Sequence, residues 1–209
     1  MNLIFRLTQI FFTALFWILG KIWFRLEIRG EESLKNLKGP LIIVSNHKSY
    51  IDPFIILAAL PKWWSSPILP IRAMVLDIVF KIPPLNLFLY ALGTYPAYRG
   101  QGLNISLAKP LEILKDGGVV GIFPEGRIIL TEGLEEFKRG VGELTKKSNA
   151  PILPVAVRGT ENLILRIFPK PLSRVRVSFG KPEVMDISRP SEEITAKIRE
   201  KIFVLYTSG

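Results

Sequence analysis

Between Leu41 and Leu60 the chain reads LIIVS, then NHKSYI, then DPFIILAAL, and few folds accommodate that order of patterns. The run Leu41–Ser45 is short, apolar and β-rich, so it reads as a buried strand, and Phe54–Leu60 reads as a buried helix closed by Pro61. Asp52 followed by Pro53 marks the helix start. Asp is a good N-cap, and Pro is tolerated at the first helical position, where its missing N–H is no loss. A strand therefore turns into a helix within six residues, which is a building block of α/β architecture.

The remaining chain alternates in the same way. Helical signals around Ser106–Asp116 end at Gly117-Gly118, a strand follows in VVGIF, and Pro124-Glu125-Gly126 leads to a helix through FKRGVGELTKKS. Strands recur at Ile152–Val157 and at Arg174–Phe179, and a C-terminal helix over Ser191–Tyr206 has Ser191 as N-cap candidate with Glu192 and Glu193 in its first turn. The expectation is one α/β domain over residues 24–209, with a mixed, largely parallel sheet flanked by helices. A separate apolar helical segment, residues 1–23, precedes it. No internal repeat, low-complexity tract or Gly-rich phosphate loop is present.

His47, the single histidine in the chain, falls just past the end of the first strand, with Asp52 five positions on. An imidazole is the natural general base near neutral pH, and a nearby carboxylate can orient it. On one continuous helix, five steps of about 100° would leave the two roughly 140° apart, too far around for a hydrogen bond. The strand–turn–helix arrangement removes that obstacle. The bland alternative is a capping Asp52 and a loop histidine with a satisfied ring.

Downstream residues bear on that choice. Asn46, His47, Ser49 and Asp52 match an Asn-His-x-x-x-x-Asp pattern; Gly93–Arg99 reads GTYPAYR, Phe123–Arg127 reads FPEGR, and Ala150–Val157 reads APILPVAV. In this order and at these separations the four segments resemble the motifs of the PlsC-type glycerolipid acyltransferases, which include the 1-acyl-glycerol-3-phosphate acyltransferases. The resemblance covers about Phe24 to Pro182. It implies that His47 and Asp52 are catalytic and that Asn46, Ser49, Arg99, Glu125, Gly126, Arg127 and, more weakly, Lys138 bind substrate. Many members carry a Thr between the Gly and Arg of the third motif; here Arg127 follows Gly126 directly. By resemblance, Arg99 and Arg127 would receive an acceptor phosphate, with Glu125 holding acceptor hydroxyls or fixing those arginines. Ser49 is better placed to hydrogen-bond within the turn than to act as a nucleophile.

Composition narrows the alternatives. With 28 basic and 18 acidic residues the net charge is +10, a surface drawn to anionic lipid headgroups, nucleic acid or an acidic carrier protein. The absence of cysteine excludes disulfides and thiolate chemistry, and with one histidine a metal site is not expected. Aromatic residues gather in apolar segments instead of alternating with basic ones, which argues against nucleic acid.

From Leu7 to Gly20 the chain is uncharged between Arg6 and Lys21, a stretch shorter than the roughly 20 apolar residues that span a bilayer. On a helical wheel Arg6, Gln9, Thr13 and Gly20 form a narrow polar stripe within about 60° on an otherwise apolar cylinder. That suits a helix lying in one leaflet with its basic ends at the headgroups, and Trp17 and Trp23 fit an interfacial position. No small-x-small cleavage site follows, which counts against a signal peptide; a buried core helix is the other option. A second apolar zone, Pro67–Tyr95, reads either as two short core helices, one carrying an Asp77–Lys81 pair and ending at Pro83-Pro84, or as a lipid-touching or acyl-chain-lining region.

The expected function is acyl transfer from a thioester donor, acyl-CoA or acyl-carrier protein, to 1-acyl-glycerol-3-phosphate at an anionic bilayer, at the cytoplasmic face of the cell membrane. No cofactor is expected beyond that cosubstrate. Another acceptor, such as glycerol 3-phosphate or a lyso-aminolipid, or a non-catalytic basic membrane-binding protein, is the alternative.

Overall fold

The computed structural model describes residues 2–60, 65–98, 100–161 and 173–208. The elements in chain order are α1 (Asn2–Trp23), β1 (Phe24–Arg29), β2 (Leu41–Ser45), α2 (Asp52–Ala58), β3 (Ile71–Leu76), α3 (Leu85–Ala91), β4 (Tyr95–Ala97), α4 (Leu103–Lys115), β5 (Val119–Ile122), α5 (Gly140–Ser148), β6 (Ile152–Arg158), β7 (Ser173–Phe179) and α6 (Ser191–Thr207). The strands form a seven-stranded sheet in the order β1-β7-β6-β2-β5-β3-β4. All pairings are parallel except β6 with β7, which fulfils the expectation of a mixed, largely parallel sheet.

Side-chain alternation along β2 supplies both cores, because successive residues of a strand point to opposite faces. Ile42 and Val44 join Val120 against Leu107 and Leu114 of α4, Val141 and Leu144 of α5, and Ile194, Ile198 and Ile202 of α6. The four-residue spacing of that last trio puts one apolar stripe on the sheet. Leu41 and Ile43 face the other way, with Val119, Leu153 and Val155, onto Ile55 and Ile56 of α2. The central strand β2 is thus sandwiched, and its carboxyl end opens where ligands bind in open α/β sheets.

Several local expectations need correction. Pro67–Tyr95 does not begin as a helix: Ile71–Leu76 is the strand β3, and Asp77–Lys81 is a single 3₁₀ segment with its ion pair stretched to 4.0 Å and exposed. Parallel pairing with β5 and β4 supplies β3 with backbone partners that a helix would have found within itself. Ser191 is the first residue of α6, not its cap; Pro190 precedes it and no side chain caps the end. β1, unanticipated, follows α1 with no intervening residue.

The polar stripe of α1 is turned toward the protein, not toward headgroups. Gln9 donates to Ile71 O at 2.7 Å and Leu92 O at 2.8 Å and accepts from Ile71 N at 3.0 Å. Arg6 donates to Leu69 O at 3.3 Å, and Thr13 is buried. The physical reason is that the ends of β3 and α3 present backbone groups needing partners, and the stripe satisfies them. The opposite face of α1 bears Leu3, Ile4, Leu7, Phe11, Leu15 and Ile18, all exposed, with Leu7 at 56% and Phe11 at 65%. Among the described residues no helix is long and apolar enough to cross a membrane.

Candidate active site

The register of β2 with β5 pairs Val44 with Ile122, so His47 and Glu125 each stand three residues beyond one rung at the carboxyl ends of adjacent parallel strands. The turn between β2 and α2 brings Asp52 back to His47: Nδ1 lies 3.1 Å from Asp52 Oδ2. The same oxygen accepts the backbone N–H groups of Lys48 at 2.6 Å and Ser49 at 2.7 Å. The other, Oδ1, accepts the Thr160 hydroxyl at 2.6 Å. Asp52 is wholly buried, and these four donors offset the loss of hydration that burial imposes on a carboxylate.

This differs from the capping role expected of Asp52. The residue preceding α2 is Ile51, no side chain caps the helix, and Asp52 is its first residue. Its carboxylate reaches backward to the turn instead, because those N–H groups lack any ladder partner. The consequence is an imidazole held through Nδ1, with Nε2 on the side of the ring away from Asp52. His47 is 17% exposed on its side chain, and its ring stacks on Phe123 at 4.2 Å.

Two other motif residues act on the backbone. Asn46 is buried and clips the end of β6, donating to Val157 O and accepting from Val157 N, both at 2.8 Å. Glu125 accepts His47 N–H through Oε2 at 2.8 Å and Glu135 N–H through Oε1 at 3.3 Å. Its carboxyl therefore ties the His47 turn to the segment after β5; of the two roles expected of it, holding acceptor hydroxyls or fixing the arginines, the second is not seen for Arg127, which pairs with Glu135. Burial pushes its pKa above the usual carboxylate range, opposed by those two backbone bonds and by Lys48 and His47 nearby. Ser49 is buried within the turn, where its hydroxyl receives a long 3.5 Å contact from Ile51 N–H.

Beside the pair opens a cleft of about 870 Å³, lined by Glu125, Gly126, Arg127, Leu134, Glu135, Glu136, Phe137, Lys138 and Arg199. Arg127 points into a bidentate pair with Glu135, with contacts of 2.7–3.0 Å from Nε and Nη2. Gly126 adopts φ of +69°, and a Cβ there would lie 2.6 Å from Lys138 Nζ, so the ammonium rests directly over the glycine. Gly126, Arg127 and Lys138 thus converge on one cleft. Arg99 lies outside the described residues.

A second, narrow apolar cavity of about 70 Å³ runs beneath α1, between Ser45, Phe54, Leu57, Ala73, Ile122 and Phe123. Phe123 is shared between this cavity and the His47 stack. Among the described residues no three His, Cys, Asp or Glu side chains converge as a metal site. Sequence inspection missed Thr160, Lys48 and Arg199. Thr160 lies 108 positions from Asp52, and no local pattern marks it.

A histidine held by a buried carboxylate stands at the carboxyl end of a central parallel strand, beside a cleft whose lining mixes Arg127, Lys138 and Arg199 with Glu125, Glu135 and Glu136, an arrangement able to serve as a general base. The Acyltransferase family model matches residues 25–158, and the chain belongs to that family. It is 26% identical over 191 residues to the 1-acyl-sn-glycerol-3-phosphate acyltransferase of Borreliella burgdorferi, covering 89% of this chain and 72% of that one. It is also 26% identical over 157 residues to the chloroplastic 1-acyl-sn-glycerol-3-phosphate acyltransferase BAT2 of Brassica napus, covering 73% of this chain but only 43% of the plant protein, so the chain spans under half of that relative. The crystal structure of the 1-acyl-sn-glycerophosphate acyltransferase PlsC of Thermotoga maritima has the same fold, with a TM-score of 0.72 at 21% identity, covering 93% of this chain and 75% of that one.

Proposed function

We propose that this chain moves a fatty acyl group from a thioester donor to the free hydroxyl of 1-acyl-glycerol-3-phosphate, giving phosphatidic acid at a bilayer surface. The observation that carries this reading is the 3.1 Å contact between His47 Nδ1 and Asp52 Oδ2 beside the cleft that holds Arg127 and Lys138. An alcohol is a weak nucleophile at neutral pH. His47 Nε2 takes the hydroxyl proton as the oxygen attacks the thioester carbonyl. The ester C–O bond forms, the C–S bond breaks, and the proton passes from the imidazolium to the departing thiolate. Asp52 holds the ring and stabilises its charged form. No covalent acyl-enzyme is needed.

Arg127 and Lys138 receive the acceptor phosphate, Arg through its planar fork and Lys as a point charge. The apolar cavity behind Phe123 accommodates the start of an acyl chain, and the outward face of α1 meets the lipid from which the acceptor comes. Acyl-CoA and acyl-carrier protein both suit the basic surface as donors, and both are supplied on the cytoplasmic side of a cell membrane.

The test is thioester release by purified protein in detergent, with each donor and a panel of lyso-acceptors, and products identified by mass spectrometry. Phosphatidic acid should form, and His47→Ala should lower turnover roughly 10²–10⁴-fold, the usual scale of general-base loss. Near-wild-type turnover by His47→Ala would refute the mechanism.

A further inference from the structure

Lys48 follows the catalytic histidine, yet its side chain has no part in the chemistry above. It is wholly buried. Its Nζ donates to Thr131 O at 2.6 Å and Gly133 O at 2.5 Å and sits 5.4 Å from the Tyr206 ring centre. Among the described residues no carboxylate forms an ion pair with it. Removing an ammonium from water is costly, and burial accordingly pushes its pKa down, against the pull of Glu161, Glu125, Asp52 and Glu135. Such a group is retained only where its donors do something an apolar side chain would not.

What its donors hold is a strap. Residues 128–137 form neither helix nor strand, so their backbone groups have no ladder to fix them. The strap is instead pinned from three sides. His47 O accepts from Ile129 N at 2.8 Å, and Glu125 accepts from Glu135 N. Arg199, on α6, donates to Glu135 O at 2.9 Å and Leu134 O at 3.2 Å. Lys48 fixes the middle, between the two anchors near its ends. The strap carries Glu135, which aligns the Arg127 fork, and runs on to Lys138. Meanwhile the backbone N–H of Lys48 donates to the Asp52 oxygen that orients His47. One residue therefore touches both halves of the site.

We propose that Lys48 is a positioning residue that sets the distance between the proton-accepting turn and the strap that presents the acceptor's anion site. The assignment rests on the cleft being the acceptor site. Its physical basis is that a charged donor shared between two carbonyls two residues apart fixes both the position and the local direction of the backbone, which a single neutral bond does not. A displacement of about 1 Å is enough to cost up to roughly 10²-fold in an enzyme reaction.

The experiment compares wild type, Lys48→Met and Lys48→Arg by hydrogen exchange and by steady-state kinetics on a phosphate-bearing lyso-acceptor. Lys48→Met keeps most of the volume and removes the donors. It should speed exchange in peptides spanning residues 129–135 while leaving β2 and β5 protected, and should raise the acceptor KM roughly 10–100-fold with a much smaller change in kcat. Lys48→Arg, which restores charged donors, should recover part of both. Unchanged strap exchange in Lys48→Met overturns the proposal, as does a fall in kcat at constant KM. Should a Met variant fail to fold, Lys48→Gln, retaining one donor group, takes its place with the same two readouts. If wild type transfers no acyl group at all, the functional reading fails, while the exchange comparison still decides whether Lys48 holds the strap.

Discussion

Thr160 donates its hydroxyl to Asp52 Oδ1 at 2.6 Å, while Asp52 Oδ2 faces His47 Nδ1 at 3.1 Å, so a residue just beyond β6 steers the carboxylate that steers the histidine. Thr160→Val keeps the shape and removes the donor. Leaving a buried charged acceptor short of a partner costs about 1–3 kcal/mol. Part of that should appear as lower kcat, because a carboxylate freed at Oδ1 can rotate away from the ring. Thr160→Ser should restore most of the rate. Equal kcat values for wild type and Thr160→Val would remove Thr160 from the machinery.

Arg127 is held in a bidentate pair with Glu135, which gives opposite signs for two variants. Arg127→Ala should weaken binding of a phosphate-bearing acceptor by about 1.5–3 kcal/mol, the worth of hydrogen bonds to a charged group. Glu135→Gln should strengthen it by a factor of about 1.4–5, since an exposed ion pair that phosphate must displace is worth about 0.2–1 kcal/mol. A neutral monoacylglycerol should respond little to either change. Weaker phosphate binding in Glu135→Gln would mean that the pair presents Arg127 to the ligand and does not compete with it.

Glu125 makes stability depend on pH with a definite sign. Its folded pKa is raised above the ordinary value of 4.5, chiefly by burial. A group shifted upward holds its proton longer in the folded state, so its contribution is full below pH 4.5 and is lost as pH climbs through the raised folded value. Glu125→Gln abolishes that titration. It also leaves one acceptor oxygen for the two N–H groups of His47 and Glu135. The difference in Tm between wild type and variant should therefore shrink as pH rises from below 4.5. A difference that does not change over that range contradicts the assignment.

The outward face of α1 separates binding to lipid from folding. Leu7→Glu with Phe11→Glu places two charges on exposed apolar positions and should reduce association with anionic vesicles tenfold or more, given about 1.5–3 kcal/mol for each large apolar side chain withdrawn from water. Tm in detergent should hardly move. Gln9→Leu should do the reverse, lowering Tm through the loss of three backbone contacts while leaving vesicle binding alone. Unaltered vesicle binding by the double variant would mean that this face meets something other than lipid.

The strand–turn–helix around His47 was legible because it is local: an apolar run, a turn and an Asp-Pro start lie within 20 residues. β1 was legible in principle, since Phe24, Leu26 and Ile28 alternate with polar residues, but the apolar run before it draws attention to the helix. β3 was not, because IRAMVL has no alternation and its strand character comes from pairing with β5 and β4. The position of Asp52 against His47 followed from spacing, whereas its remaining partner Thr160 depends on β6 lying beside β2. The backbone partners of Glu125 were not legible for a related reason. A carboxylate in a cationic motif suggests an arginine, but the turn after β2 and the strap after β5 left backbone N–H groups closer at hand.

The inward polar stripe of α1 also determines what this helix is unable to do. An arm that swings between water and lipid must hide its apolar side when it lets go, and here that side points away from the body of the protein while Gln9 fastens the other to β3 and α3. Folding back is therefore closed to it, and Leu3, Leu7 and Phe11 stay on the outside for as long as the fold persists. Extracted without detergent, molecules built this way meet one another through that greasy side. If that side meets lipid, as proposed, attachment lasts as long as the native state does, and control over access to substrate falls to other means than release into solution.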